Sequence, residues 1–319
     1  MERIALDQLA WYESTLLRMD GVVHGFGTKG TSIEAVAAAL GFSHERIARL
    51  HQVHGATVHS LKTVPTGLLT GDALLTVVPD LVLQVKTADC LPILLQGLAP
   101  LSSGALPQRA RLRLRRFGCH ALGASDLHWR SAPPRAPRNH ARSDWQSLRR
   151  RRIRLWRKFL ARHHFPQRRT RGCLEECAEW SLLVGAIHAG WRGLAAGVIT
   201  AALREARGQY GVAPGSIRCA IGPSMGPNCY EVGHEVIEAL TEAGHDPKLI
   251  ARKGERDRWW LNLASCARAE LIRGGVAPDR IDVSPNCTHC SAEEFHSYRR
   301  TRERSGRQYS FIALRASVD

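Results

Sequence analysis

Almost all of the net positive charge of this 319-residue chain sits in one stretch. Between 98 and 181 there are nineteen Arg and one Lys against five acids (Asp126, Asp144, Glu175, Glu176 and Glu179). That stretch carries +15 of a total of +16, and the rest has 25 basic and 24 acidic residues. The fold must therefore be built from two nearly neutral flanks, 1–97 and 182–319, and must tolerate what separates them. The segment also holds four of the eight Trp, a PPRAP stretch and the run RRRRIRLWRK. Its apolar residues keep no period of 2 or 3.6 before about 147–161, where Leu148, Ile153, Leu155, Trp156, Phe159 and Leu160 suit a basic amphipathic helix. Three readings stand. It is a poorly ordered insertion in a surface loop, where added length costs little closure entropy. It is an out-of-frame translation of a GC-rich gene, which enriches Arg, Trp, Pro, Cys and His. Or it is an arm for RNA or anionic lipid, the one route by which nucleic acid becomes a partner.

The flanks read as a globular chain. Hydrophobic residues make up 44% of the whole chain, enough for a sizeable core. Apolar runs such as 91–95 and 182–187 are too short to span a bilayer. The start MERIALDQLAWYES has no apolar signal core, so the expected location is cytoplasmic. Nine cysteines, an odd number, argue against a disulfide framework there. Thr31-x-x-Glu34 predicts a capped helix ending near Gly41. Strands are expected at 47–53, 57–61, 73–77, 81–86, 91–95, 182–187, 217–221, 281–284 and 309–314. Helices are expected at 194–207, 231–243 and 262–273. Without a regular strand–helix–strand alternation or an internal repeat, the expected class is α+β.

Three places set a metal ligand or nucleophile at the end of an apolar strand beside turn-forming residues: Gln52-Val53-His54-Gly55, Lys86-Thr87-Ala88-Asp89-Cys90, and His188-Ala189-Gly190-Trp191-Arg192-Gly193. Singly, each is more often a satisfied structural residue or, for the Cys, a small buried hydrophobe. Together, two imidazoles and one thiolate suit tetrahedral zinc with a fourth position open to water or substrate. Asp89 is a candidate general base, a partner for a ligand imidazole, or a turn cap. Arg192, with the N–H groups of residues 190–193, is a candidate oxyanion or phosphate holder, or a surface residue beside a tight turn. Cys287-Thr288-His289-Cys290 has metal or redox spacing but no second CxxC, and is read as a loop near the pocket. His163, His164, Cys173 and Cys177 match no defensible zinc module.

The chain resembles the laccase-domain, or multicopper polyphenol oxidoreductase-like, family, whose members are also called peptidoglycan editing factors. The resemblance rests on HGFGTKG (24–30), LHQVHGATV (50–58), GDALLT (71–76), VKTADCLPILL (85–95), VGAIHAGWRGLAAGVI (184–199), AIGPSMGPNCYEVG (220–233), LNLASCARAELIRGGV (261–276), CTHCSAEEFHSYRR (287–300) and SGRQYSFIAL (305–314). It implies a single-domain four-layer α-β-β-α sandwich. It implies a catalytic zinc on His54, Cys90 and His188, and the substrates adenosine, inosine and methylthioadenosine with phosphate, adenosine also being deaminated. Gln52, Lys29, Asp72 and Arg299, inside the matching words, are read as structural. One departure is large: Cys90 and His188 stand 98 residues apart, where the family keeps them close, because the basic segment lies between two strands that should be neighbours. Smaller departures are Asn262, where Asp is common, and Asn228 before Cys229, where a Cys pair is frequent. Copper oxidase chemistry fits poorly, since fifteen His include no His-x-His and the only Met are Met1, Met19 and Met225. The competing functions are a hydrolase editing a peptidoglycan precursor and an inactive core carrying a basic nucleic-acid-binding arm.

Overall fold

The computed structural model describes residues 1–100 and 180–316. The basic segment between them, with its expected helix and its His163, His164, Cys173 and Cys177 set, lies outside the described residues.

Two six-stranded sheets organise the flanks. The first runs in the order Glu2–Leu6, Leu9–Glu13, Val22–Gly27, Gln308–Leu314, Val82–Thr87 and Ile47–Ala48. The second runs Ile281–Val283, Arg218–Ile221, Leu91–Pro100, Trp180–Ala189, Ala73–Thr76 and Val58–Leu61. Each mixes antiparallel pairs with parallel edge pairs, and helices follow without a regular crossover beat, which is the α+β class expected.

The period of two along the strands sorts side chains between cores. Leu91, Ile93, Leu95, Leu183 and Ile187 face the helices Val198–Tyr210, His234–Glu242 and Leu263–Arg273 in one cluster. Their alternates Leu94, Leu182, Val184 and Ala186 join Leu83, Val85, Ile312 and Leu314 of the first sheet in a second. On the far side of the first sheet, Val82, Phe311 and Ala313 meet Ile33, Val36 and Ala37 of the helix Ile33–Ala39.

The hairpin that matters most joins residues on either side of the basic segment. Leu91–Pro100 pairs antiparallel with Trp180–Ala189 from Leu91 opposite Ala189 to Pro100 opposite Trp180. The interruption leaves this pairing intact. Leu98, Ala99, Pro100, Trp180 and Ser181, grouped with the basic segment by composition, are strand residues.

Several boundaries differ from expectation for local reasons. The cap of Ile33–Ala39 is Ser32, whose Oγ accepts from Ala35 N at 3.0 Å, while Thr31 Oγ1 donates to Ala10 O. The expected helix 194–207 is two helices, Trp191–Ala195 and Val198–Tyr210, because Gly197 takes φ +75° and turns the chain. Glu231–Gly233 is a strand before the helix His234–Glu242 begins. The run 47–53 breaks into Ile47–Ala48 and Leu50–His51 before a loop. The three N-terminal strands carry a mixed pattern of exposure and gave no clean alternation.

Leu94 is fully buried between the sheets, opposite Ala186 and Ala220, small neighbours that cannot fill its space. Leu94→Ala is expected to lower unfolding free energy by about 2–5 kcal/mol, measured by urea titration. A loss under about 1 kcal/mol would mean that the inter-sheet core is loosely packed.

Candidate metal centre

The site is assembled at the ends of three chain segments. His188 lies in Trp180–Ala189, opposite Pro92, and is 3% exposed. Cys90 immediately precedes Leu91 on the partner strand, so the hairpin register sets thiol and imidazole side by side. His54 comes from the loop after Leu50–His51 and has φ +61°, a left-handed conformation that a non-glycine residue keeps only when held there.

What holds it is Asp72. This carboxylate is fully buried and accepts from His54 N at 3.0 Å and Gly55 N at 2.8 Å. Its Oδ1 also accepts from His188 Nδ1 at 2.8 Å, which turns Nε2 of that ring to the site. Burial pushes the carboxyl of Asp72 up, but the hydrogen bonds from His188 and the two backbone amides prevail and keep it below the usual range. Gln52 fixes the same loop to the first sheet: its Oε1 accepts from Lys86 N at 2.9 Å and its Nε2 donates to Lys86 O at 2.8 Å.

The three ligand atoms converge. One donor atom each from His54, Cys90 and His188 lies within 4.8 Å of the others, and Cys90 Sγ is 3.8 Å from His54 Nε2. Gly190 closes the back of the site. A Cβ there would come within 3.0 Å of Cys90 Sγ and 3.1 Å of the His54 ring. Two imidazoles and a thiol at this separation fit a zinc-like cation. Burial opposes charge on both Cys90 and His188. Even so, the two imidazoles bring the Cys90 thiol down to about 6, and Asp72 and Cys90 raise His188 to about 9.

The cluster opens into a cavity of about 800 Å³. Lys86, Arg192, Arg299, Arg302 and Arg307 line it, with Asp89 the one carboxylate among the described lining residues. That carboxylate is already engaged. It accepts from Thr288 Oγ1 at 2.7 Å, Ser297 Oγ at 3.1 Å and Arg299 N at 2.7 Å, and neither ligand imidazole is its partner. Arg192 lies exposed on the single-turn helix Trp191–Ala195, its guanidinium 4.3 Å from the Trp191 ring centroid. Arg299 sits over Tyr230 and donates to Glu231 O.

All five candidate residues, His54, Cys90, His188, Asp89 and Arg192, thus line one cavity. Sequence reasoning missed the part played by Asp72, and it missed Tyr230, Arg302 and Arg307, although Tyr230 and Arg307 lie inside matching words; no spacing pattern marks them as cavity residues. Met225, set aside in weighing copper, lines the same cavity.

The profile of the family described as multi-copper polyphenol oxidoreductase laccase matches residues 30–100 and 177–315. The purine nucleoside phosphorylase YlmD of Geobacillus stearothermophilus is 37% identical over 42% of this chain and 49% of its own length. The adenosine deaminase RL5 of an unknown prokaryotic organism is 34% identical over 41% of this chain and 50% of its own. The chain spans about half the length of these curated relatives. The crystal structure of YlmD from Geobacillus stearothermophilus superposes with a TM-score of 0.66 at 22% identity, over 98% of each chain, a likeness of fold.

Two outcomes follow from the geometry. Asp72→Asn is expected to weaken zinc binding about 10- to 100-fold, read by competition with a chromogenic chelator, with circular dichroism unchanged. A cation taking Cys90 Sγ and His188 Nε2 must displace the proton of His188 between pH 6 and 9. Affinity is therefore expected to rise about tenfold per pH unit in that window, and more steeply below 6, where the thiol proton must leave as well. A pH-independent affinity from 6 to 9 would contradict the assigned ligands.

Proposed function

This chain belongs to the multi-copper polyphenol oxidoreductase laccase family, and we propose that it is a cytoplasmic zinc-dependent enzyme of purine nucleosides. It cleaves adenosine, inosine and methylthioadenosine with phosphate and deaminates adenosine. The observation that carries this reading is the conjunction of a His54–Cys90–His188 cluster with a cavity rich in cations. The names of the relatives, purine nucleoside phosphorylase and adenosine deaminase, support it.

A volume of about 800 Å³ accommodates a nucleoside and a phosphate together. Trp191, Tyr230 and Tyr298 offer flat apolar faces to a purine. Lys86, Arg192 and Arg302 supply positive charge and N–H donors for phosphate oxygens. Asp89 acts as a positioning residue: its three hydrogen bonds tie Thr288, Ser297 and Arg299 to the turn before Cys90. Zinc on His54, Cys90 and His188 would supply a Lewis acid at the reacting centre. Asp72 keeps the proton of His188 on Nδ1, away from that centre. Two imidazoles and one thiol are too few ligands for a multi-copper electron relay.

We read the fold in the same family terms, as a four-layer α-β-β-α sandwich in a single domain. The three core clusters that flank the two sheets support that order. We read the basic segment as an insertion within the hairpin, supported by the gap in the profile match from 101 to 176.

The decisive assay incubates zinc-loaded protein with adenosine or inosine, with and without phosphate, and follows free base, ribose 1-phosphate and inosine. Turnover is expected, falling at least about a hundredfold in Cys90→Ala and His188→Ala. Arg192→Ala is expected to raise KM for phosphate about tenfold or more while deamination, which needs none, changes less than about twofold. Neither base release nor deamination by folded, zinc-loaded protein would overturn the nucleoside reading. Activity on a peptidoglycan precursor alone would replace it. Replacing residues 101–179 by a short turn is expected to leave turnover in place, because the strands on either side are paired to their ends.

A further inference from the structure

A second cluster of soft ligands lies outside the metal centre. Among the described residues, Cys229, Cys287 and Cys290 form the other group of His, Cys, Asp or Glu side chains whose donor atoms lie within 4.8 Å of one another. All three are free thiols. Cys229 Sγ and Cys290 Sγ stand 3.2 Å apart.

The surroundings are shaped to sulfur. Gly226 N donates to Cys287 Sγ at 3.1 Å, and a Cβ on residue 226 would crowd that side chain at 3.2 Å. The backbone then sets the third thiol against the CxxC turn. Ser224 pairs with Cys287 in a parallel bridge, Thr288 N donates to Ser224 O at 2.9 Å, and Cys229 N donates to Gly226 O at 3.0 Å. A tetrahedral ion bound at about 2.3 Å holds its sulfurs about 3.8 Å apart. That spacing falls between the 3.2 Å of the Cys229–Cys290 pair and the 4.8 Å limit of the group. A disulfide would need that pair to close to about 2.05 Å and would leave the third thiol unused. Hard cations prefer oxygen, so three thiolates select a thiophilic ion.

We propose that Cys229, Cys287 and Cys290 form a second metal site, a three-thiolate zinc clip that pins loop 222–230 to loop 284–291. Binding releases the thiol protons to solvent and involves no change of oxidation state. The clip fastens a loop that furnishes a wall of the main cavity to one whose following chain does so. One carries Met225 and Tyr230, and the chain leaving the other reaches Tyr298 and Arg299. Thr288, inside the CxxC turn, donates to Asp89 next to Cys90, and Met225 N donates to Asp89 O, so both clipped loops bear on the turn before Cys90.

The test uses equilibrium dialysis of the full chain against micromolar zinc, with metal counted by mass spectrometry. Wild type is expected to hold about two equivalents and a Cys90→Ala/His188→Ala variant about one. Adding Cys229→Ser/Cys290→Ser to that variant should remove the last equivalent. The same pair of serines in the wild-type background should spare the first equivalent, which also shows that the chain still folds. With cobalt as the probe, the clip alone should give thiolate charge-transfer absorption about three times that of the one-thiolate site. No zinc on the Cys90→Ala/His188→Ala protein would overturn the clip, as would an equivalent that survives loss of Cys229 and Cys290. A Cys229–Cys290 disulfide whose reduction restores no zinc binding would do the same. Nucleoside turnover is read separately, so either proposal can fail alone.

Discussion

The buried carboxylate of Asp72 is the contact on which the centre depends. One side chain takes two backbone amides from the loop of His54 and the Nδ1 proton of His188. Its main chain is engaged as well, with Asp72 N donating to Thr57 O and Asp72 O accepting from His188 N. A buried carboxylate without such partners would be expelled or protonated. Saturated, it is a rigid three-way junction between the loop after Leu50–His51, the start of Ala73–Thr76 and the end of Trp180–Ala189. The left-handed backbone of His54 is sustained by this junction, so the same atoms that orient one imidazole also offset strain in the residue that supplies the other.

The third ligand depends on strand register. Cys90 and His188 are far apart in sequence but adjacent in space because ten residue pairs of the Leu91–Pro100 and Trp180–Ala189 hairpin stay in step. A hairpin with a buried face cannot slip by one residue without turning its leucines outward. Loop-closure entropy rises only about 0.6 kcal/mol per doubling of length. A well-paired, doubly covered hairpin therefore tolerates a long connection at its open end while the opposite end holds its geometry. The centre lies at that opposite end, as far along the strands from Pro100 and Trp180 as the hairpin allows.

The longer apolar strands were legible in the sequence because the signal is local, and for the same reason His54, Cys90 and His188 stood out as candidates, which the structure brings together. An apolar run bounded by Gly, Asp or Pro shows its own ends, and a His or Cys at such an end advertises itself. What was not legible is pairwise. The partner of His188 is Asp72, 116 positions away, whereas the acid beside Cys90 drew attention by adjacency and proved to be engaged by Thr288, Ser297 and Arg299. The CxxC at 287–290 seemed to lack a partner because its third thiol, Cys229, arrives from another loop. The cap at Ser32 and the break at Gly197 were one-residue matters of backbone dihedral that apolar periodicity does not encode.

Charge bears on the ligand proposed for this cavity. Five cationic side chains line it, and its one described carboxylate, Asp89, already accepts three hydrogen bonds. Arg299 and Arg307 spend donors on backbone carbonyls, which fixes their direction without neutralising them. Like charges held together repel unless a counter-ion enters. A ligand with two or more negative charges relieves that repulsion, and its several oxygens match the several donors. The phosphate-consuming reaction proposed above is consistent with this lining, independently of which metal the His54, Cys90 and His188 cluster would hold.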